Sequence, residues 1–366
     1  MNKPSIALIH DHLAQNGGGE RVLAVLQEFF PDAPTFTTVW DKKKADPLFN
    51  DKDIRTSFIQ RWPFGIRKYQ WYLPFMPVAF EHFDMTPYSL IISSNSALAK
   101  GIIAPEGSTH VCYCYTPTRY LCTDRNEYID NLGLPRLVKS ALSVYLNYLR
   151  VWDLEAARRV DNFIAISRVV QERIKHYYKR ESAIIYPPVD VDKFRVGQGS
   201  GKYYVTGGRL TNYKRFDVTV MAFSKLGIPL YVYGDGPERE HLESISNSNV
   251  KFLGRVPDDK LNKLYQDAIA FINPQVEDFG LTMIEAQACG RPVIAFNQGG
   301  ALDIIQDGVS GTFFDEQSWE ALADTIIRFD PSKFDSMAIR AHAETFSIAS
   351  FKTQFFEYLR THNLIP

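Results

Sequence analysis

Short apolar runs rich in β-branched residues recur along the whole chain, separated by segments whose apolar positions fall three and four apart. In the first half the runs are 5–9 (SIALI), 35–39 (TFTTV), 89–93 (SLIIS), 110–115 (HVCYCY) and 161–166 (DNFIAI). In the second half they are 202–206 (KYYVT), 229–233 (PLYVY), 250–253 (VKFL), 268–272 (AIAFI) and 292–296 (PVIAF). Strands alternating with helices imply right-handed βαβ units and parallel sheets covered on both faces. So many strands overload one sheet, and the pattern predicts two. The seam falls at Tyr186-Pro187-Pro188-Val189-Asp190, followed by the glycine-rich 195–201 (RVGQGSG). Paired prolines forbid helix, and the glycines after them loosen the chain. The expected fold is α/β, with two doubly wound, Rossmann-like domains facing a central cleft. Their bounds are 1–186 and 202–345, with a linker at 187–201 and a closing C-terminal helix at 346–366.

Composition narrows the function. The 366 residues are 45% hydrophobic and 23% charged, with a formal net charge of -1. These values exclude a disordered chain, a collagen-like repeat and a strongly basic nucleic-acid binder. A local positive pocket for a phosphorylated ligand stays open. Four cysteines (Cys112, Cys114, Cys122, Cys289) make no disulfide framework, and Cys112-x-Cys114 lacks the two-residue spacer of a redox or zinc pair. They are expected as buried small hydrophobes. The apolar run at 5–9 is too short for a signal sequence, and no stretch is long enough to span a bilayer. The expectation is a cytoplasmic protein, soluble or held at the inner membrane surface.

Glycines collect where the strands of the second half end: Gly207-Gly208, Gly234 and Gly236, Gly254, Gly280, and Gly299-Gly300. Open α/β sheets bind ligands beyond the carboxyl ends of their strands. Five such turns on one rim suit a ligand approached by backbone, such as a phosphate. In PQVEDFGLTMIEAQACGRPVIAF (274–296), Glu277 precedes a helix expected to begin near Phe279-Gly280, and Glu285 lies in its early turns. The N–H groups of Gly280, Leu281 and Thr282 would offer an anion site flanked by two carboxylates able to accept from sugar hydroxyls. The same acids also fit a helix-start residue and a solvated helical one. In GGRLTNYKR (207–215), Arg209 follows a strand and Lys214 opens the next helix, a pair suited to a diphosphate or simply to solvent. Gly17-Gly18-Gly19-Glu20-Arg21 follows the first strand, where three glycines permit a close approach or a flexible turn. Neither a Walker spacing nor GxGxxG is present.

These motifs resemble those of the family 4 retaining glycosyltransferases, which have the two-domain GT-B fold. The resemblance rests on Glu277 and Glu285 in EDFGLTMIEAQACGRPVIA, on GGRLTNYKR, and on GDGPE (234–238), FLGRV (252–256) and YPPVDVDKF (186–194). HDHLAQNGGGERV, AISRVVQERI and YTPTRYL fit in the first half, and the last is similar to bacterial surface-polysaccharide mannosyltransferases. The resemblance implies that Arg209 and Lys214 hold the donor diphosphate, Glu285 the ribose and Glu277 the hexose. Phe279, Gly280 and Leu281 would supply backbone donors, Arg255 and Val256 would frame the base, and Gly18-Gly19 would close over the phosphates. Many relatives carry a first-domain histidine near the sugar where this chain has Tyr115. Arg119, Asp11 and His12 are further sugar-side or acceptor-side candidates.

The implied reaction is a retaining transfer of a hexose, mannose from GDP-mannose, to a glycan or lipid-linked saccharide in surface polysaccharide synthesis. No cofactor and no metal are expected, because Arg209, Lys214 and the helix end would stabilise the leaving group. A nucleotide-sugar epimerase of the same fold and a non-catalytic sugar-nucleotide binder remain alternatives. Aromatics crowd 58–88 beside Arg61, Arg67 and Lys68, which suits either a membrane interface or a packed helix with Pro-bounded turns.

Overall fold

Every named strand pairs in parallel with its neighbours in the computed structural model, which describes residues 4–123, 129, 135–199 and 201–366. The chain divides into two units, Met1–Tyr186 with Lys352–Pro366, and Pro187–Phe351.

The first unit holds seven strands: β1 (Ile6–His10), β2 (Thr35–Thr37), β3 (Ile54–Thr56), β4 (Leu90–Asn95), β5 (Thr109–Cys114), β6 (Asn162–Ala165) and β7 (Ser182–Ile184). They lie in the order β3-β2-β1-β4-β5-β6-β7. The second unit holds β8 (Tyr203–Arg209), β9 (Leu230–Asp235), β10 (Val250–Gly254), β11 (Ala268–Asn273), β12 (Val293–Phe296) and β13 (Gly311–Phe314). Their order is β10-β9-β8-β11-β12-β13. Strands covered on both faces read as unbroken apolar runs. Ile91 and Ile92 of β4, Val111 to Cys114 of β5 and Val293 to Phe296 of β12 are accordingly buried. Cys112, Cys114 and Cys289 are buried too, and none of the four cysteines forms a disulfide.

Three strands lie outside the sequence expectation: β3 (IRT), β7 (SAI) and β13 (GTFF). Each is an edge strand, three or four residues long, so none needs an apolar run. The segment expected as a linker belongs to the second unit. Arg340 Nη1 donates to Val191 O and Phe194 O at 2.8 and 3.0 Å, and Arg291 Nη1 donates to Gly199 O at 2.9 Å. The closing helix expected at 346–366 is Ile348–Thr361, preceded by a further helix, Ser336–Glu344, and the unit boundary falls within Ile348–Thr361.

Both sheets reverse their strand order once. In the first, successive strands run outward from β1 on one side and from β4 on the other; in the second the reversal lies between β8 and β11. At such a switch point the two loops diverge and leave a crevice at the carboxyl ends. His10-Asp11-His12 and Ser94 to Ala97 border the first of these positions, and Arg209 to Lys214 and Asn273 to Glu277 border the second.

Candidate active site

In the second unit, β8 carries Gly207 and Gly208 to Arg209, and a single 3-10 turn (Asn212–Lys214) follows. Lys214 therefore does not open the next helix, Phe216–Leu226; Arg215 intervenes in a left-handed conformation, φ 53°. The Lys214 ammonium lies against the backbone of Gly208, where an added Cβ would stand 3.7 Å from Nζ. Lys214 Nζ donates to Glu277 Oε1 at 2.7 Å, with the two side chains 16% and 22% exposed. Arg209 is exposed and makes no ion pair or side-chain hydrogen bond among the described residues. Lys214 and Glu277 thus meet at the switch point, where Arg209 ends β8.

The Glu277 loop is held from two directions. Gly300 N–H donates to Glu277 O at 2.8 Å, and a Cβ on Gly299 (φ 67°) would come within 2.6 Å of the same oxygen. Only glycine fits so close an approach with that φ. From the other side, Gln317 Nε2 donates to Pro274 O at 2.8 Å. Arg215 Nη1 donates to Gln317 Oε1 at 3.2 Å, and Arg215 is itself paired with Asp217 at 3.0 Å. A continuous strut therefore joins the residue after Lys214 to the loop that carries Glu277.

Gly280 (φ 117°) precedes the helix Leu281–Ala288. The first N–H groups of a helix, here including Leu281 and Thr282, have no intrahelical partner and carry partial positive charge. Phe279 beside them is buried, its ring 5.9 Å from that of Phe346. Glu285 is 5% exposed rather than solvated, and accepts from Tyr265 Oη at 3.2 Å, which lies 2.6 Å from Tyr233 Oη. Arg255 (exposed) and Val256 (half-buried) follow β10, two strands from Arg209. Strand spacing puts that separation at about 10 Å.

In the first unit the switch point is densely bonded. Asp11 is buried, and its carboxylate accepts from the N–H groups of Ser96, Ala97, Leu98 and Ala99 and from Ser96 Oγ, at 2.6–2.9 Å. Burial pushes this acid up, but His10, His12 and the N–H donors outweigh it and hold its pKa below the ordinary value. Asp11 is thereby a staple between the β1 and β4 loops. Tyr115 Oη donates to Gly19 O at 3.0 Å and pairs with Ser94 Oγ at 2.7 Å, so its hydroxyl serves the glycine turn. Ser94 Oγ meets His10 Nδ1 at 3.1 Å, and His10 Nε2 is 3.7 Å from Glu20. Glu20 accepts from Gly17 N–H at 3.0 Å, fixing the turn that starts the helix Gly18–Phe29. His12 packs at a tilt against Tyr69 with ring centroids 4.7 Å apart, and burial lowers its pKa, which keeps it neutral near pH 7. Arg119 begins a short helix, Arg119–Cys122.

Residues 16–193 match the family described as Glycosyltransferase Family 4, and residues 190–330 match Glycosyl transferases group 1. The two matches together take in residues 16–330, and the two parallel-sheet α/β units have the fold of solved GT-B glycosyltransferases. Relatives include a D-inositol 3-phosphate glycosyltransferase of Mycobacterium sp. (strain KMS), 26% identical over 226 residues, which are 54% of this chain and 51% of that protein. Another of that name, from Mycolicibacterium paratuberculosis, is 32% identical over 211 residues, 48% of each. The chain spans about half the length of the relatives it matches. Among solved structures, Anabaena HepE in complex with UDP and glucose superposes with a TM-score of 0.71 at 18% identity, covering 98% of this chain and 100% of that one. Sucrose-phosphate synthase from Thermosynechococcus elongatus gives 0.72 at 18% identity, covering 98% and 99%. At that identity the likeness concerns the fold.

Within this GT-B chain, the second unit brings Arg209, Lys214, Glu277 and the Leu281 helix start to one switch point, with Glu285 on that helix and Arg255 two strands away. Two residues with clear structural parts escaped the sequence reading. Gln317 sits in a loop with no periodic signal, and Tyr265 reads as an ordinary core residue of its helix. Among the described residues, no group of three or more His, Cys, Asp or Glu is placed to hold a metal ion.

Proposed function

We propose that this chain transfers a hexose with retention from a nucleotide sugar, with mannose from GDP-mannose as the donor and a glycan or lipid-linked saccharide as the acceptor. One observation carries the reading: Lys214 and Glu277 are paired at 2.7 Å at the switch point where β8 ends in Arg209 and a helix begins after β11. The two cations and the first-turn N–H groups suit a diphosphate, and Glu277 suits hexose hydroxyls. The structures of HepE with UDP and with UDP-glucose support a nucleotide-sugar donor in this fold. The mannose assignment draws on the similarity of the 115–121 segment (YTPTRYL) to surface-polysaccharide mannosyltransferases.

In this reading the bond from C1 of the hexose to the diphosphate oxygen breaks as Arg209 and Lys214 take up the growing negative charge. The acceptor oxygen bonds to C1 on the same face, and its proton passes to the departing phosphate oxygen. Charge stabilisation by these groups requires no bound metal. Glu285, held by Tyr265, receives the ribose, and Arg255 with Val256 frames the base. On the first unit, His12 and Arg119 are assigned to the acceptor, while Asp11 and Tyr115 support the loops around them.

The test is transfer from GDP-mannose, UDP-glucose and ADP-glucose to lipid-linked saccharides, followed by nucleotide release and by anomeric NMR of the product. Retained configuration with a preference for GDP-mannose is expected. Sugar conversion without any acceptor would instead indicate an epimerase, and an inverted product would overturn the mechanism.

A further inference from the structure

The helix Arg136–Arg159 is apolar on two sides. Leu142, Tyr145, Leu146 and Leu149 face the core of the first unit. A second row, Val144, Tyr148 and Val151, falls at helical spacing and stands 70%, 67% and 60% exposed. The neighbouring 69–81 segment is bonded to this helix along its length: Tyr145 Oη donates to Leu73 O at 3.3 Å, and Trp152 Nε1 to Glu81 Oε1 at 2.7 Å. That segment and the turn before it expose their own apolar groups, with Phe64 and Trp71 67% and 66% exposed and Phe75 exposed as well. Other rings of 58–88 pack inward, with Phe80 buried and Phe58 against the cluster of Val39, Ile59 and Ala79, so the stretch is partly core and partly surface.

Charge identifies the occupant. From 54 to 80 the sequence contains no Asp or Glu but has Arg61, Arg67 and Lys68, besides Arg55, which Asp53 holds at 2.8 Å; from 135 to 152 it contains none but has Arg136, Lys139 and Arg150. Arg61, Arg67 and Arg150 make no ion pair among the described residues, and Lys68 lies over the Trp71 ring at 5.5 Å. A two-fold contact with a second copy would set these cations against each other. An anionic lipid surface pairs with Arg61, Arg67, Lys68 and Arg150, while Trp, Tyr and Phe settle at the depth of the headgroups. No helix among the described residues is long and apolar enough to cross a membrane.

We infer that the exposed Val144–Tyr148–Val151 row and the Phe64–Trp71–Phe75 surface form one docking face for an anionic lipid bilayer. This inference does not depend on the catalytic reading.

The test floats the full chain with phosphatidylcholine vesicles, alone or with about one-third phosphatidylglycerol, at low and high salt. Binding should rise at least about tenfold with the anionic lipid and fall in salt. Val144→Glu with Val151→Glu, Trp71→Glu, and Arg61→Gln with Arg67→Gln should each remove most of it. Each variant should keep the wild-type melting temperature, since all the sites are exposed; the charge-only pair serves if an apolar variant melts early. Failure of the wild type to float on anionic vesicles, or wild-type flotation by all three variants, overturns the inference. So does a dimer that the Val144→Glu/Val151→Glu pair dissociates without any change in flotation, which would make the face a contact between copies.

Discussion

Replacing Lys214 with Met keeps the length of the side chain and removes its charge. In the wild type the ammonium lies 2.7 Å from Glu277, and both side chains are less than one-quarter exposed. Pairs of this kind fall between surface ion pairs and fully buried ones. Leaving Glu277 without its donor should lower the free energy of unfolding by about 1–3 kcal/mol. A second change, Glu277→Gln, should restore most of that loss, because a neutral amide needs no counter-charge. Turnover should behave differently. If Lys214 stabilises the leaving diphosphate, its loss removes a contact made in the transition state, costing about 100- to 1000-fold, or about 2.7–4 kcal/mol. That loss should persist in the Glu277→Gln background, so the double variant should run at least about 100-fold below Glu277→Gln alone. Urea unfolding gives the first quantity, and release of nucleoside diphosphate from labelled donor gives the second. A double variant that turns over as fast as Glu277→Gln would show that Lys214 acts only by holding the acid, and the leaving-group role would be refuted.

Other outcomes follow from particular contacts. Gln317→Ala cuts the strut between Arg215 and Pro274 O, and should slow turnover about tenfold with little change in melting temperature; wild-type kinetics would dismiss the strut. Gly299→Ala places a Cβ within 2.6 Å of Glu277 O at φ 67°, and should cost about 1–2 kcal/mol of stability in urea titration, with a neutral result contradicting the packing. Chelation with EDTA should leave the rate unchanged if the cations carry the diphosphate charge, and loss restored by added divalent metal would require a different account. His110 is buried, and burial lowers its pKa to about 3, whereas the unfolded chain takes up its proton near 6.5. The unfolded state therefore binds more protons between those values, and stability falls as pH drops. From pH 7 to pH 5 this residue should remove about 2 kcal/mol, a loss that His110→Gln should abolish; parallel pH profiles for the two proteins would disprove the burial argument.

The central strands and the loops at their carboxyl ends were legible in the sequence because a strand buried on both faces must be apolar throughout. β4, β5, β11 and β12 show this most plainly. The edge strands β3, β7 and β13 carry no such demand, and their three or four residues leave no periodic trace. Prolines and glycines at 187–201 suggested a loose tether. That stretch is fixed by Arg291 and Arg340, from positions roughly one hundred to one hundred and fifty residues further along the sequence, and no local pattern reports such bonds. In the candidate site, residue type and spacing singled out Glu277 and Lys214, which the fold pairs at 2.7 Å. Asp11 looked equally suitable, being an acid just past β1. Its true surroundings, four consecutive N–H groups from 96–99, become apparent only once β1 and β4 are known to be neighbours. Gln317 was invisible for a similar reason, since its role lies in two long-range bonds from a loop.

The claim on which the functional reading depends is that the switch point of the second sheet accepts a diphosphate. Calorimetric titration of the whole chain with GDP, UDP and ADP, set against the corresponding nucleosides, measures it directly. The account predicts that at least one diphosphate binds, that its nucleoside binds at least about 100-fold more weakly, a difference of about 2.7 kcal/mol, and that Arg209→Ala with Lys214→Ala erases the difference. Equal affinity for nucleoside and diphosphate, or a difference that survives the loss of both cations, would contradict it.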